Sequence, residues 1–401
     1  MRPTAPGSPW WASMTAPDGR LIMLSAGEAS GDLHGATMCR ALRALDPSVR
    51  LVGMGGPRMA AAGVEILVDP TAHASMGTNE AVGRVPGLYR AYRTLARRLR
   101  EDRPLALVLI DFPEFNLRLA RQAHLAGIPV IYFIPPQLWA WRGGRIRQMA
   151  RRVTCVLAAF PFEESLYEKA GIPVDFVGHP LLDVVPCDLD RKKARERLQV
   201  GPEHTLVGLL PGSRKQEVAR LLPPMLEAAA RLASSSGKRF FVLGLADSVD
   251  RGAVTPLLGP AWERGGPTVE VVEGLTHEVM AGADALLIAS GTATLEAALL
   301  GTPMVVCYRV SRLTEVMVRL LKRSPWISLP NIVAGRGAVP EILQDEVTGA
   351  RLADEVERLL DDSAAATAQR AAFKEVRAKL GRPGVGERAA RAVLNVVGAA
   401  L

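Results

Sequence analysis

The stretch Asp284 to Arg309, DALLIASGTATLEAALLGTPMVVCYR, constrains the fold more than any other part of the chain. Ala285 to Ala289 is an apolar run of the length of a buried parallel strand, and Ser290-Gly291-Thr292 breaks it. Ala293 to Leu300 then continues with strong helix formers. Gly301 stands where a helix-ending glycine belongs, Pro303 follows, and Met304 to Tyr308 reads as the next strand. A strand, turn, helix and strand in this order make a βαβ unit, and such a turn offers free amides and a helix N-terminus to a phosphate or diphosphate. Ser290, Thr292 and Thr294 can add hydroxyl donors, and Glu296, one helical turn on, can accept from a ribose. Taken alone, a Ser-Gly-Thr turn is equally an ordinary N-cap.

The same grammar recurs along the chain. Leu21 to Leu24 is a strand that runs into SAGEASGDLHGA (Ser25 to Ala36), where Gly27 and Gly31 permit a tight turn and Glu28, Ser30, Asp32 and His34 supply polar groups. His34 by itself reads as a helix-surface residue. Arg50 to Gly56 is a strand ending in GMGG, which is not GxGxxG and has no acidic ribose partner, so nicotinamide chemistry is set aside. Leu105 to Ile110 is a continuous apolar strand with Asp111-Phe-Pro-Glu-Phe-Asn116 at its carboxyl end. A carboxylate flanked by Phe112 and Phe115 is partly desolvated, which raises its pKa and improves it as a base. Further strands are read at Pro129 to Ile134, Val153 to Ala158 and Val174 to Val177. Pro135-Pro-Gln-Leu-Trp-Ala-Trp-Arg142 could wall a sugar or acyl pocket, though core packing explains Trp139 and Trp141 as well.

Gly178-His-Pro-Leu-Leu-Asp183 and the charged 188–199 segment read as a crossing between domains. The second half opens on the strand Thr205 to Leu210, which ends in Pro211-Gly212-Ser213-Arg214. A Gly-Ser turn with an arginine at a helix start is a second anion cradle in the same half as Ser290 to Glu296. Phe240 to Leu243 and Val269 to Val272 read as strands. Asn331, Arg336, Glu341 and Gln344 are polar residues among apolar ones in a loop, a pattern of a site. Residues 353–380 and 386–397 read as helix.

With 401 residues the chain can bury two cores. Apolar residues at 48% and charged residues at 22% exclude wholesale disorder. The formal net charge of +8 suits a phosphorylated substrate, an anionic membrane or nucleic acid, so the sign alone does not choose. Arginines crowd the 75–103 segment and recur at Arg142, Arg145, Arg147, Arg151 and Arg152, which favours an anionic membrane surface. They lack the interleaved aromatic platform of nucleic-acid binders, so no nucleic-acid partner is expected. Four dispersed cysteines without a CxxC pair, and six histidines without ligand spacing, give no structural metal and point to a reducing compartment. No run approaches the length of a membrane span, so a cytoplasmic protein peripheral to the inner membrane is expected. The organisation read is a disordered extension over 1–17, with Met14 a candidate start, an N-terminal Rossmann-like acceptor domain over 18–185, a C-terminal Rossmann-like donor domain over 186–365, and C-terminal helices over 366–401.

Assembled in order, SAGEASGD (25–32), the Asp-X-Pro-X-Phe-Asn run (111–116), PPQLWAWR (135–142), GHPLLD (178–183), LLPGSR (209–214), ASGTATLE (289–296) and SLPNIVAGR (328–336) resemble the lipid-A-disaccharide synthases. The resemblance implies a glycosyltransferase of the two-Rossmann-domain (GT-B) type, its domains facing across a cleft. It implies that UDP-2,3-diacylglucosamine is joined to 2,3-diacylglucosamine 1-phosphate (lipid X), giving lipid A disaccharide 1-phosphate and UDP with inversion. Carried over by position, Asp111 matches the general base, Glu28 the acid of the first motif, Arg214 the LLPGSR arginine and Asn331 the SLPN asparagine. Gly212, Ser213, Arg214, Ser290, Gly291, Thr292, Glu296 and Gln344 are expected to hold UDP. No metal or other cofactor is implied, and a homodimer exchanging C-terminal segments is a further expectation. Three features depart from the family pattern: Glu at 114 where Asp is usual, a 75–95 region less aliphatic than a membrane-facing stretch, and a leader without counterpart. Another UDP-sugar enzyme of the same fold, an N-acetylglucosaminyl transferase or a UDP-GlcNAc 2-epimerase, is the alternative.

Overall fold

A computed structural model describes residues 20–70, 81–138, 143–186, 188–235, 238–262, 267–311 and 324–399. The readings made for the 1–17 leader, for the start of the 75–103 segment and for Trp139, Trp141 and Arg142 lie outside the described residues.

The first half forms a seven-stranded sheet from β1 (Arg20–Ala26), β2 (Val49–Met54), β3 (Val64–Val68), β4 (Ala106–Ile110), β5 (Val130–Phe133), β6 (Cys155–Ala158) and β7 (Val174–Phe176), in the order β3-β2-β1-β4-β5-β6-β7. The second half forms a six-stranded sheet from β8 (Thr205–Leu210), β9 (Arg239–Leu245), β10 (Val269–Glu273), β11 (Ala285–Ala289), β12 (Met304–Tyr308) and β13 (Glu341–Leu343), in the order β10-β9-β8-β11-β12-β13. Every pairing is parallel. The fold class expected from the sequence, two Rossmann-like α/β units, is therefore the one observed.

Parallel strands are covered on both faces, and period-2 alternation divides their side chains between two cores. Ile22, Leu24, Val108 and Ile110 enter one cluster, while Met23, Leu107 and Leu109 enter the other. Leu209 and Leu287 are separated in the same way from Leu210 and Leu286. In each sheet the strand order reverses beside the first strand, between β1 and β4 and between β8 and β11. Ligands of open parallel sheets lie outside the carboxyl ends of the strands at such a reversal. Those four strand ends carry Gly27-Glu28, Asp111-Phe112, Gly212 to Arg214 and Ser290 to Thr292.

The helices that matter for the site in the first half are α1 (Ala29–Leu45), α2 (Pro57–Ala61), α3 (Ala81–Asp102) and α4 (Pro113–Leu125). The last helix, Val385–Ala399, returns to this half and lies against α1, burying Val385, Ala389, Val393 and Val397 in the same cluster as Ile22 and Ala36. Asp183 fixes its start, Oδ1 accepting from Gly384 N at 2.6 Å and Oδ2 from Gly386 N at 2.8 Å. Leu295, Leu329 and Val333 from the second half join that same cluster, so the two halves share an apolar seam.

Three elements differ from the sequence reading. The short edge strand β3 went unread, and β13 is a strand where a loop was expected. The helical stretch read over 353–380 is divided at Asp362, which caps the second piece by accepting from Ala364 N at 2.9 Å and Ala365 N at 3.2 Å.

Candidate active site

Asp111 and Phe112 follow β4 in the left-handed region, with φ of 48° and 49°. Two consecutive non-glycine residues there cost on the order of 1–3 kcal/mol each, and the neighbourhood must impose the conformation. Three contacts do so. Asn116, fully buried on α4, donates from Nδ2 to the Asp111 carbonyl at 2.7 Å and to the Ile110 and Ser25 carbonyls at 3.2 Å each. Ser25 Oγ donates to Asn116 Oδ1 at 2.7 Å, and Tyr132 Oη donates to the Asp111 carbonyl at 2.9 Å. Gly27 lies against the Phe112 ring so closely that a Cβ on it would fall 2.1 Å from Cδ1. The Asp111 carboxyl is pushed up from 3.8 to about 6, first by burial and then by the nearby Glu28 and Glu114 carboxylates, with the Phe112 amide opposing.

The polar groups of the first turn divide by role. Glu28 is exposed at the start of α1 and acts on Asp111 through its charge. Asp32 is buried and caps α2, Oδ1 accepting from Gly56 N at 2.8 Å and Met59 N at 2.9 Å, and Oδ2 from Arg58 N at 3.1 Å. His34, expected on a helix surface, is instead buried on α1, a helix that the last helix packs against. Burial lowers its pKa to about 4, and its Nδ1 has no hydrogen-bond partner.

In the second half, Gly212 has φ of 114°, and a Cβ there would come within 2.7 Å of Glu217 Oε2. Glu217 lies in the first turn of the Lys215–Ser235 helix, accepts from Ser213 N at 3.3 Å and pairs with Arg214 Nη1 at 3.3 Å. A carboxylate therefore occupies part of the cradle read for an anion, and Arg214 stays largely exposed. At the other turn, Gly291 is the N-cap of the Thr292–Leu300 helix without a side-chain cap, so the capping role open to Ser290 is not taken. Ser290 Oγ instead donates to the Ile327 carbonyl at 3.3 Å, and Thr294 Oγ1 to the Gly291 carbonyl at 2.7 Å. No side chain caps the first amides of that helix, which leaves its positive end open to an anion. Glu296 Oε2 lies 3.1 Å from His277 Nε2, and this hydrogen bond raises the imidazole pKa against its burial.

Asn331 is fully buried with its amide engaged: Nδ2 donates to the Val339 carbonyl at 2.9 Å and Glu341 Oε1 at 2.8 Å, while Oδ1 accepts from Ala338 N at 2.7 Å and Val339 N at 2.8 Å. Glu341 Oε1 also accepts from Ser328 N at 2.8 Å and Ser328 Oγ at 2.7 Å. Together they brace the 327–341 segment behind Ser290. Gln344 clasps Val310, Oε1 accepting from its N at 2.7 Å. Arg336 turns away to a two-point ion pair with Glu375 at 2.6 and 3.0 Å.

An ion pair joins the two halves, Arg58 of the first lying 3.7 Å from Asp247 of the second. Among the described residues, no group of three or more His, Cys, Asp or Glu side chains is arranged to hold a metal ion. Sequence reasoning missed three contributors. Asn116 was given no role of its own, whereas it pins two strand ends. Glu217 was signalled by a carboxylate four residues after Ser213. His277 carried no local signal, since its partner lies nineteen residues on.

Two doubly wound parallel sheets, each with a polar turn at its reversal point, make up the two-Rossmann-unit architecture of the GT-B fold. Solved structures agree on the fold: the calicheamicin glycosyltransferase superposes with a TM-score of 0.60 at 16% identity, covering 95% of this chain and 98% of that one. The UDP-GlcNAc 2-epimerase from Neisseria meningitidis bound to UDP-GlcNAc gives 0.57 at 13% identity, covering 94% and 99%. The chain belongs to the lipid-A-disaccharide synthetase family, whose model matches residues 22–396. Lipid-A-disaccharide synthase of Geobacter metallireducens is 44% identical over 384 residues, 96% of this chain and 99% of the relative. That of Anaeromyxobacter dehalogenans is 45% identical over 378 residues, 94% and 97% respectively.

Proposed function

We propose that the chain transfers 2,3-diacylglucosamine from UDP to the 6-hydroxyl of 2,3-diacylglucosamine 1-phosphate, inverting the anomeric centre and releasing UDP. Family membership supplies the reaction, and the placement of Asp111 carries its assignment to residues. Asp111 takes the proton from the acceptor hydroxyl as the new C–O bond forms. The anomeric C–O bond breaks with its electron pair leaving on the diphosphate. A pKa near 6 suits this work, since the group is ionised at neutral pH yet a stronger base than an ordinary carboxylate. Arg214, the Gly212 and Ser213 amides and the helix start at Ser290-Gly291-Thr292 receive the growing diphosphate charge, with no resident metal in the proposal. Glu296 accepts from the ribose, Gln344 and Asn331 shape the nucleotide side, and Glu28 tunes Asp111. Replacing Asp111 by Asn in folded protein tests the base; near-normal turnover would remove it from that role. The epimerase alternative is not favoured, because epimerase likeness extends to the fold alone while synthase relatives reach 41–45% identity.

The membrane partner is proposed to be held by charge. On α3, Ala91, Leu95, Ala96 and Leu99 face the protein's own core, and Arg90, Arg93, Arg97 and Arg100 are exposed at helical spacing. Tyr89, 59% exposed, adds a large apolar side chain to the exposed part of that helix. Such a surface favours binding to anionic headgroups, each cation contributing about 1 kcal/mol, over deep insertion. No helix among the described residues is long and apolar enough to cross a membrane. Sedimentation with anionic vesicles that is lost at high salt is the expected result.

A further inference from the structure

We propose that His277 is a positioning residue for nucleotide binding: it holds the Glu296 carboxylate in the orientation that accepts from the ribose hydroxyls. The inference rests on reading the crevice as a UDP-sugar site and adds a residue to it. Glu296 lies one turn into the Thr292–Leu300 helix, just behind the amides read as a diphosphate cradle. A glutamate there has three rotatable bonds, and an unheld carboxylate must be ordered each time a nucleotide binds. His277, at the start of the Thr276–Gly282 helix, removes that freedom by a 3.1 Å hydrogen bond from Nε2 to Oε2. Among the described residues Glu296 makes no other side-chain hydrogen bond, so Oε1 remains as an acceptor.

The surroundings leave His277 to this one task. Its neighbour Glu278 is taken by Arg197 Nη1 at 2.6 Å, and the nearby Thr276 hydroxyl donates to the Leu245 carbonyl at 3.2 Å. Both His277 and Glu296 are partly shielded, with side-chain exposures of 29% and 22%, where a charge-assisted hydrogen bond outweighs its counterpart in open water. The other imidazole that feels Glu296, His34, comes from the first half and makes no hydrogen bond to it. A purely structural tie between two helices is the competing role, and it predicts no dependence on the sugar of the nucleotide.

The test compares affinities of the full chain for UDP and for 2′,3′-dideoxyuridine diphosphate by titration calorimetry. The unaltered protein is expected to prefer UDP. His277→Ala is expected to weaken UDP by about tenfold, the value of one charge-assisted hydrogen bond, while leaving the dideoxy analogue unchanged. His277→Gln, whose amide nitrogen reaches the position of Nε2, is expected to restore the preference. Equal weakening of both nucleotides by His277→Ala, or no weakening of either, overturns the positioning role while leaving the UDP site intact. Failure of the unaltered chain to bind UDP at all would overturn the nucleotide reading and this inference together.

Discussion

The ring of Phe112 occupies the space a Cβ on Gly27 would need, the built atom lying 2.1 Å from Cδ1. Phe112 also stacks on Phe115, ring centroids 5.6 Å apart, so it cannot retreat without dragging the Asp111 turn with it. Gly27→Ala is therefore expected to lower stability by about 1–3 kcal/mol, the usual cost of overpacking, and to lower turnover in the protein that remains folded. Unaltered turnover in that variant would mean the turn adapts without moving the carboxylate.

The raised pKa of Asp111 gives two linked expectations. As a base it must be ionised, so kcat/KM should fall tenfold per pH unit below about 6, and Glu28→Gln should move that limb to lower pH by removing the neighbouring charge. For stability the sign is opposite. Between 3.8 and about 6 the folded state binds more protons than the unfolded one, so stability falls as pH rises through that window. Asp111→Asn should then melt at a higher temperature than the unaltered protein at pH 8 while losing about 10²–10⁴-fold in rate.

Asn116 joins the ends of β1 and β4 through four hydrogen bonds. Asn116→Ala leaves buried carbonyls and the Ser25 hydroxyl without partners and is expected to cost about 3 kcal/mol. In urea unfolding this should appear as an earlier midpoint with an unchanged slope.

Glu217 holds Ser213 N and Arg214, the groups proposed for the nucleotide diphosphate, so the two would compete for them. Glu217→Gln is expected to tighten UDP binding even though it weakens a helix start, whereas Arg214→Ala is expected to lower kcat by on the order of 10²-fold. Weaker UDP binding by Glu217→Gln would show that the carboxylate belongs to the bound site.

The strand framework was legible because parallel strands buried on both faces are written as continuous apolar runs: β4 is ALVLI and β11 is ALLIA, each fully buried. The four turns at the sheet reversals were legible for the same reason, standing where each run breaks into Gly, Ser or Asp. Two of the four edge strands escaped: β3, with its exposed and half-buried positions, and the three-residue β13 show no such run. His34 was misjudged because the surface of α1 that looks free in sequence is covered by a helix that begins at Val385. The bracing work of Asn331 and Glu341 and the His277 contact depend on residues brought together by the sheet, and no spacing in the sequence encodes them.

Asp111 is proposed to activate a sugar hydroxyl toward a UDP-linked diacylglucosamine held by the Arg214 and Ser290 turns. UDP release from UDP-2,3-diacylglucosamine, measured in detergent with and without 2,3-diacylglucosamine 1-phosphate, tests it most directly. The expected result is release that requires the acceptor, yields a disaccharide and is nearly abolished in folded Asp111→Asn protein. Release without the acceptor, or disaccharide formed at the normal rate by Asp111→Asn, would contradict it.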